Sequence, residues 1–199
     1  KTYPNIEPKA TWPTPESFSE DLENLVATHD QPFQSSSIYA QYKVFELAKS
    51  SGVTVNLDGQ GADEIFGGYT PFYHSYLYKV FLSDSSLFKT ELAAFNKLYA
   101  DLYPYQNPAE SETLRMKLGR YKSKLPGTKP AIAQTDYHEK LWQALTLTSL
   151  PTLLRYADTN SMAHSLEVRL PYLFHELIEF AFTLPDHFLA KNGWTKHIL

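Results

Sequence analysis

The stretch LDGQGADEIFGGY, residues 57–69, holds the side chains best suited to chemistry. It follows a short β-branched run, residues 53–57, and enters a predicted helix; ligands of open α/β sheets bind at such strand ends. Gly59 and Gly61 allow the backbone to turn tightly and to approach a ligand, and the free N–H groups at a helix start favour an anion such as phosphate. Asp63 is a candidate magnesium ligand beside that phosphate, because a hard cation prefers carboxylate oxygen.

Other interpretations of the polar residues compete with this one. Glycines before an acidic helix start are also compatible with ordinary turn and helix-dipole chemistry. The stretch is not a dinucleotide fingerprint, because Glu64 stands where that motif needs a third glycine. The 7 histidines are dispersed, and neither His138 nor His175 begins a zinc-protease motif.

Composition narrows the class of protein. In 199 residues, 43% are hydrophobic and 20% charged, which is ordinary for a globular chain with one sizeable core or two small ones. The net charge is −4 without a basic stripe, so a nucleic-acid partner is not expected. The absence of cysteine excludes disulfides, thiolate metal sites and a cysteine nucleophile within these residues. No apolar run approaches the roughly 18 residues that would predict a membrane span.

The elements that must position residues 57–69 begin with two helices and a strand. The segment up to Pro15 is predicted to be extended. A first helix should start at an N-cap, Ser17, and run toward His29, and a second should follow the three serines of residues 35–37. The run at residues 53–57 then predicts a buried strand of a parallel sheet.

Beyond Tyr69 the pattern is helical and rich in aromatic residues, and no further strand is predicted. The final residues, 193–199, suggest the start of another helix. We therefore expect an α/β layer in residues 1–70 followed by a mostly α-helical part in residues 71–199. The predicted helices lie at residues 72–81, 87–103, 111–121 and 136–149, with a loop at 126–130.

Several ordered blocks then resemble one family. LDGQGADEIFGGY resembles the LSGEGADELFGGY signature of class B asparagine synthetases, including a branch that reads LDGQGADE. Residues 161–173, SMAHSLEVRLPYL, resemble the family's SMAxSxEARVPFLD, and residues 193–199, GWTKHIL, resemble GWTKYILR. The upstream DQPFQSSSIYAQY also matches. The resemblance is strongest in residues 30–69 and 150–199, and it implies a partial synthetase domain with an adenine nucleotide alpha hydrolase-like (ATP-pyrophosphatase, Rossmann-like) parallel sheet.

The resemblance also implies an activity. Such a domain uses ATP and Mg²⁺ to adenylate the side-chain carboxylate of aspartate, and ammonia derived from glutamine displaces AMP. The products are asparagine, AMP and pyrophosphate. A cytoplasmic location follows from the same resemblance, and a homodimer is a candidate assembly because the family often dimerises.

Family roles transfer to individual positions of residues 57–69. Asp63 resembles the aspartate that binds magnesium and pyrophosphate, and Asp58 with Gly59 would line the acyl-adenylate pocket. Gln60 departs from the pattern, because many members have a glutamate there that is thought to contact or deprotonate ammonia. A neutral amide cannot act as a general base, but it can orient ammonia or the intermediate by hydrogen bonds.

Three serines fall near the family's amino-acid-binding positions. The hydroxyls of Ser35, Ser36 and Ser37 are candidates to bind carboxylate or phosphate oxygens, although serines before a helix are also common N-caps. An arginine that some members carry here for the substrate carboxylate is absent, which weakens the assignment to aspartate.

Residues near the C-terminal end suggest support rather than catalysis. Glu167 and Arg169 are expected to form an ion pair that supports the fold. Val168 and Phe174 replace the family's usual alanine and aspartate. Lys196 is a candidate to approach phosphate, although a lysine is more often simply solvated.

Three parts of the family machinery are not found in these residues: the SGGxDS pyrophosphate loop, the downstream lysine-bearing segment and the cysteine glutaminase. We expect the chain to be cut from a longer protein and to be inactive alone, because electrostatic stabilisation of phosphoryl groups needs several residues together. Two alternatives remain open. One is a relative that adenylates another carboxylate, such as a β-lactam synthetase or a peptide or sugar amidotransferase; the other is a non-catalytic binding or assembly module.

Overall fold

The computed structural model describes residues 6–99 and 137–199, which form two compact units. The first comprises the described residues up to Gln60 together with Pro151–Pro171, and the second those of Gly61–Leu150 together with Tyr172–Leu199. The described residues are mostly helical, with two small sheets of two strands each. The predicted helix at 111–121 and the loop at 126–130 lie outside the described residues.

The first unit begins with the two expected helices. Helix α1 has its N-cap at Thr14 rather than at Ser17, which was predicted. Thr14 Oγ1 accepts the N–H of Ser17 over 3.2 Å, while Ser17 Oγ accepts the N–H of Thr14 over 3.0 Å. This is a reciprocal capping box, so both hydroxyls contribute to the same helix end. The elements of this unit are α1 (Pro15–His29), α2 (Ser37–Ser50), β1 (Val55–Leu57), β2 (Glu167–Arg169) and most of α7 (Leu150–Ala163).

A buried asparagine joins the three long helices of the first unit. Asn160, on α7, is fully buried. Its amide nitrogen donates to the Ile38 carbonyl and to Gln41 Oε1 of α2, each over 3.1 Å. His29, at the end of α1, donates from Nε2 to Asn160 Oδ1 over 2.9 Å. Both amide hydrogens and the amide oxygen of a costly buried side chain thereby make hydrogen bonds that fix the packing of α1, α2 and α7.

A strand in a parallel pair is confirmed, but it covers only Val55–Leu57, and Val55 and Leu57 are 41% and 75% exposed, so the expectation of a buried strand was wrong. The expectation of no strand beyond residue 69 was also wrong. Strand β2 pairs in parallel with β1, with Val55 opposite Glu167 and Leu57 opposite Arg169. Both strands are only three residues long, and β2 alternates charged residues around a single valine. So short a run carries no distinctive periodicity, because its pairing depends on a partner far away in sequence.

The second unit is almost entirely helical. Tyr73 of α4 stacks on Phe95 of α5, with ring centroids 4.6 Å apart, and both side chains are buried. Tyr137, at the start of α6, is also fully buried. The helices are α3 (Ala62–Phe66), α4 (Thr70–Ser83), α5 (Ser85–Tyr99), α6 (Tyr137–Gln143), a π-helical turn (Ala144–Thr148), α8 (His175–Thr183) and α9 (Asp186–Leu189).

The second unit ends in a β-hairpin, whereas a helix was predicted. Strands β3 (Ala190–Lys191) and β4 (Trp194–Thr195) pair antiparallel. The turn residues Asn192 and Gly193 have φ of 52° and 82°. Positive φ at both positions is typical of the type I′ turn that Asn-Gly sequences favour.

Within the described ranges, no helix combines the length and the apolar character needed to cross a membrane. A short 3₁₀ turn (Pro171–Leu173) precedes α8.

Candidate functional site

Asp58 lies directly after β1 and is held by the sheet. Its backbone N–H donates to the Arg169 carbonyl of β2 over 2.9 Å. Asp58 and Gln60 are partly exposed, and Gly59 between them is exposed. The parallel pair therefore fixes the backbone of Asp58 while the following side chains remain accessible.

Gly59 differs from the glycine that the sequence analysis described. A Cβ placed on it would meet no heavy atom within 4 Å, and its φ is not in the left-handed region. The backbone at Gly59 therefore does not itself require a glycine. Open space beside its backbone is still compatible with the close approach of a ligand.

The serines before α2 are exposed, and they divide their roles. Ser36 occupies the N-cap position but makes no side-chain capping hydrogen bond. Ser35 Oγ accepts the N–H of Ser37 over 3.3 Å, and the hydroxyls of Ser35 and Ser37 are 2.6 Å apart. The N-cap explanation therefore does not account for the Ser36 hydroxyl.

Gly61 begins α3 with a conformation that only glycine adopts readily. Its φ is 91°, and a Cβ there would lie 2.3 Å from Leu173 Cδ2. Its carbonyl accepts the N–H of Ile65 over 3.1 Å. Both the backbone and the packing thus require glycine at this position.

Asp63 forms an ion pair with Lys196 in the second unit. Asp63 Oδ1 lies 2.9 Å from Lys196 Nζ, and the side chains are 33% and 35% exposed. The other side chains of α3 are buried, so Asp63 is the one that this helix presents to solvent. Lys196 comes directly after β4, and its side chain lies beside Asp63. Residues 193–199 therefore reach Asp63 as part of a hairpin and not as the predicted helix.

Gly68 makes room for this ion pair. A Cβ on Gly68 would stand 1.7 Å from Asp63 Oδ1 and 3.0 Å from Lys196 Cε. The N–H of Gly68 also donates to the Asp63 carbonyl over 2.9 Å. The second glycine of the GGY sequence is therefore explained by the side chains that pack against it.

Sequence reasoning gave no role to Glu64 beyond excluding a dinucleotide motif. Glu64 is buried, at 1% exposure, and its Oε1 accepts the Ser149 hydroxyl over 2.7 Å. Burial, reinforced by the nearby charges of Glu64 and Asp63, raises the pKa of Tyr69. Tyr69 therefore stays protonated as a donor. Asp63 and Glu64 are adjacent acidic residues after Gly61, and the sequence alone does not indicate that Glu64 is buried while Asp63 is partly exposed.

The side chains of the site could hold a metal ion only together with ligands that the protein does not supply. In the part of the chain that the structure describes, no three His, Cys, Asp or Glu side chains converge on one point. Asp63 is the carboxylate of α3 that is partly exposed, because Glu64 is buried. Because magnesium is usually held by one or two carboxylates together with substrate phosphates and water, this single ligand fits a magnesium–nucleotide complex and does not fit a metal held by protein alone.

The predicted site residues fall in both units. Asp58, Gly59, Gln60, Ser36 and Ser37 belong to the first unit, and Gly61 and Asp63 to the second. Within the second unit Asp63 and Lys196 are in direct contact.

The expected ion pair of β2 is confirmed, but the support for the fold that was expected from it is not. Arg169 Nε lies 2.7 Å from Glu167 Oε1 on an exposed surface, where such pairs contribute little to stability.

A protein-family match defines the class of protein to which the chain belongs. The family model described as asparagine synthase matches residues 8–199, and the chain belongs to that family.

Relatives of known name are similar to the chain. It is 27% identical over 211 aligned residues to asparagine synthetase [glutamine-hydrolyzing] 1 of Bacillus subtilis (strain 168), covering 94% of this chain and 33% of the relative. It is 32% identical over 157 residues to asparagine synthetase [glutamine-hydrolyzing] 3 of the same organism, covering 73% of this chain and 23% of the relative. The chain thus spans a third or less of the length of these relatives. No solved structure matches it significantly.

Proposed function

We propose that this chain is part of a glutamine-dependent asparagine synthetase that adenylates the side-chain carboxylate of aspartate and passes the acyl group to ammonia. Family membership supports the reaction class. The observation that carries the assignment of the site is the exposed Asp63 carboxylate, paired with Lys196 at 2.9 Å and framed by Gly68. The finer fold, an ATP-pyrophosphatase sheet, is part of the same proposal, as is a cytoplasmic location.

In this proposal, Asp63 and Lys196 handle the phosphates of ATP. Mg²⁺, when bound with the nucleotide, neutralises phosphate charge and assists the departure of pyrophosphate. Asp63 supplies a carboxylate ligand to that ion, and Lys196, released from the ion pair, supplies a positive charge for phosphate oxygens. The existing contact keeps both side chains at one place before the nucleotide arrives, so little reorganisation is needed.

The first unit would contribute the acyl side of the reaction. Asp58 and Gly59 line the pocket of the acyl-adenylate, and the open space beside Gly59 supports this role. Ser36 and Ser37 donate hydrogen bonds to the amino-acid substrate. Gln60 orients ammonia or the intermediate without accepting a proton, because its amide is neutral.

The experiment that tests this function uses the complete protein from which the chain derives. Exchange of labelled pyrophosphate into ATP is measured with aspartate and with a panel of other carboxylic acids. Exchange that depends on aspartate supports an asparagine synthetase, and exchange that depends on another acid would indicate a different ligase. Absence of exchange with every acid would contradict an adenylating enzyme.

A further inference from the structure

Two buried polar side chains of the second unit have no role in the proposed reaction. The Tyr73 hydroxyl donates to Glu91 Oε2 over 2.5 Å, and the residues are 0% and 2% exposed. Burial, together with the hydrogen bond to this carboxylate, raises the pKa of Tyr73. The hydroxyl therefore remains protonated at neutral pH. Burying such a pair is costly, so its other contacts are informative.

Both side chains converge on the backbone of Gly193. The Gly193 N–H donates to the Tyr73 hydroxyl over 2.7 Å and lies 3.4 Å from Glu91 Oε2. A Cβ on Gly193 would be 2.6 Å from the carbonyl carbon of Ala94. The turn of the hairpin is thus attached to α4 and α5 through a single buried amide.

The hairpin leads directly to Lys196. After β4, Lys196 takes a left-handed φ of 47°, and the N–H of His197 donates to the Leu189 carbonyl over 3.0 Å. Hydrogen bonds therefore hold the hairpin at its turn and again after its second strand. A segment fixed at both places has little freedom to move the lysine that lies between them.

We propose that Tyr73 and Glu91 act as positioning residues: they hold Gly193, and through the hairpin they set Lys196 against Asp63. This inference rests on the proposed function, in which Asp63 and Lys196 act on magnesium and phosphate. It assigns a purpose to a buried carboxylate that touches no substrate.

A double-mutant cycle in the complete protein tests the coupling. Aspartate-dependent pyrophosphate release is measured for Tyr73→Phe, Lys196→Ala and the double variant. Loss of one net hydrogen bond corresponds to a reduction in kcat/KM for ATP of up to about tenfold in Tyr73→Phe. If the tyrosine acts through the lysine, adding Tyr73→Phe to Lys196→Ala should change kcat/KM by less than about twofold.

The matched control is Tyr76→Phe, which removes the hydroxyl of another buried tyrosine on α4. It should leave kcat/KM unchanged in both backgrounds. Equal losses from Tyr73→Phe with and without Lys196 would overturn the inference, as would full activity of either Tyr73→Phe or Lys196→Ala.

A second variant serves if Tyr73→Phe folds poorly. Asn192 is exposed in the hairpin turn at φ 52°, a conformation closed to proline. Asn192→Pro should reproduce the loss and again add nothing to Lys196→Ala; an additive loss would count against the inference. Asp63→Asn tests the proposed function separately, because full activity of that variant would contradict the site itself. If Asp63→Asn is inactive but Tyr73→Phe and Lys196→Ala have independent effects, only the positioning inference is contradicted.

Discussion

Asp63 Oδ1 contacts Lys196 Nζ at 2.9 Å, although Asp63 lies two residues after Gly61 and Lys196 is more than a hundred positions further along the chain. The contact joins the two sequence blocks that resemble the family most specifically. Both side chains are about one-third exposed, so a ligand can reach them. A surface ion pair contributes little to stability. Stability therefore does not explain why Gly68 leaves space for the Asp63–Lys196 pair, and a functional role explains it better.

The first prediction concerns Gly68→Ala. The added methyl would overlap Asp63 Oδ1, at 1.7 Å, and must displace the carboxylate. Because a displacement of about 1 Å in a positioning group can cost about a hundredfold in rate, we expect pyrophosphate release by the complete protein to fall by that order. Full activity of Gly68→Ala with unchanged magnesium dependence would contradict the placement of Asp63 in the site.

The second prediction compares Gly59→Ala with Gly61→Ala. Gly59 has open space and no left-handed φ, so Gly59→Ala should change the free energy of unfolding by less than about 1 kcal/mol. Gly61→Ala introduces strain at φ 91° and a clash with Leu173, and should destabilise by about 2 to 4 kcal/mol. Urea denaturation of both variants checks the difference, and equal stabilities would show that the Gly61 turn is wrong.

Gly59→Ala should affect activity although it leaves the protein stable. If a ligand approaches the backbone at Gly59, the stable Gly59→Ala variant should still raise KM for ATP or aspartate. Unchanged kinetic constants in Gly59→Ala would remove Gly59 from the proposed acyl-adenylate pocket. Adding Leu173→Ala to Gly61→Ala should recover the packing part of the lost stability and leave the backbone strain.

The third prediction concerns acid stability. Burial opposes ionisation of Asp186, but hydrogen bonds from His138 and Lys79, at 3.1 and 2.6 Å, leave the pKa of the carboxyl below its ordinary value. A folded-state pKa below the unfolded one, about 3.9, means that the ionised carboxylate stabilises the fold above that pH. This stability is lost as the pH falls through the folded-state pKa.

The Asp186→Asn variant should therefore lose less stability than the wild-type protein when the pH is lowered. Thermal denaturation of both proteins between about pH 3 and pH 7 measures it, and the difference in melting temperature should shrink toward the acid end. A constant difference across this range would show that Asp186 does not contribute through its charge.

Sequence reasoning predicted the local elements of the first unit well. Helices α1 and α2 and strand β1 lie where capping residues and β-branched residues indicated. The sequence predicts Ser17 as the N-cap, but Pro15 fits the first helical position, which makes Thr14 the cap. The error arose because both Thr14 and Ser17 can accept backbone hydrogen bonds.

Long-range features could not be predicted in the same way. Strand β2 exists because Glu167–Arg169 meets β1, and a three-residue strand has no pattern of its own. The hairpin could have been predicted, since Asn192-Gly193 is a strong turn sequence, but the local pattern of residues 193–199 suggested the start of a helix instead. The Asp63–Lys196 contact depends on that hairpin, so both residues are candidates from the sequence, but their contact is not predicted by it.

The central claim is that Asp63 serves an aspartate-adenylating reaction, and aspartate-dependent exchange of pyrophosphate into ATP by the complete protein tests it most directly. Asp63→Asn should reduce exchange by about a hundredfold or more. Asp30→Asn is the matched control, because Asp30 is exposed at the end of α1 with a left-handed φ that asparagine tolerates. Loss of exchange in Asp63→Asn with full activity in Asp30→Asn is the predicted result; equal exchange by wild type and both variants would contradict the account.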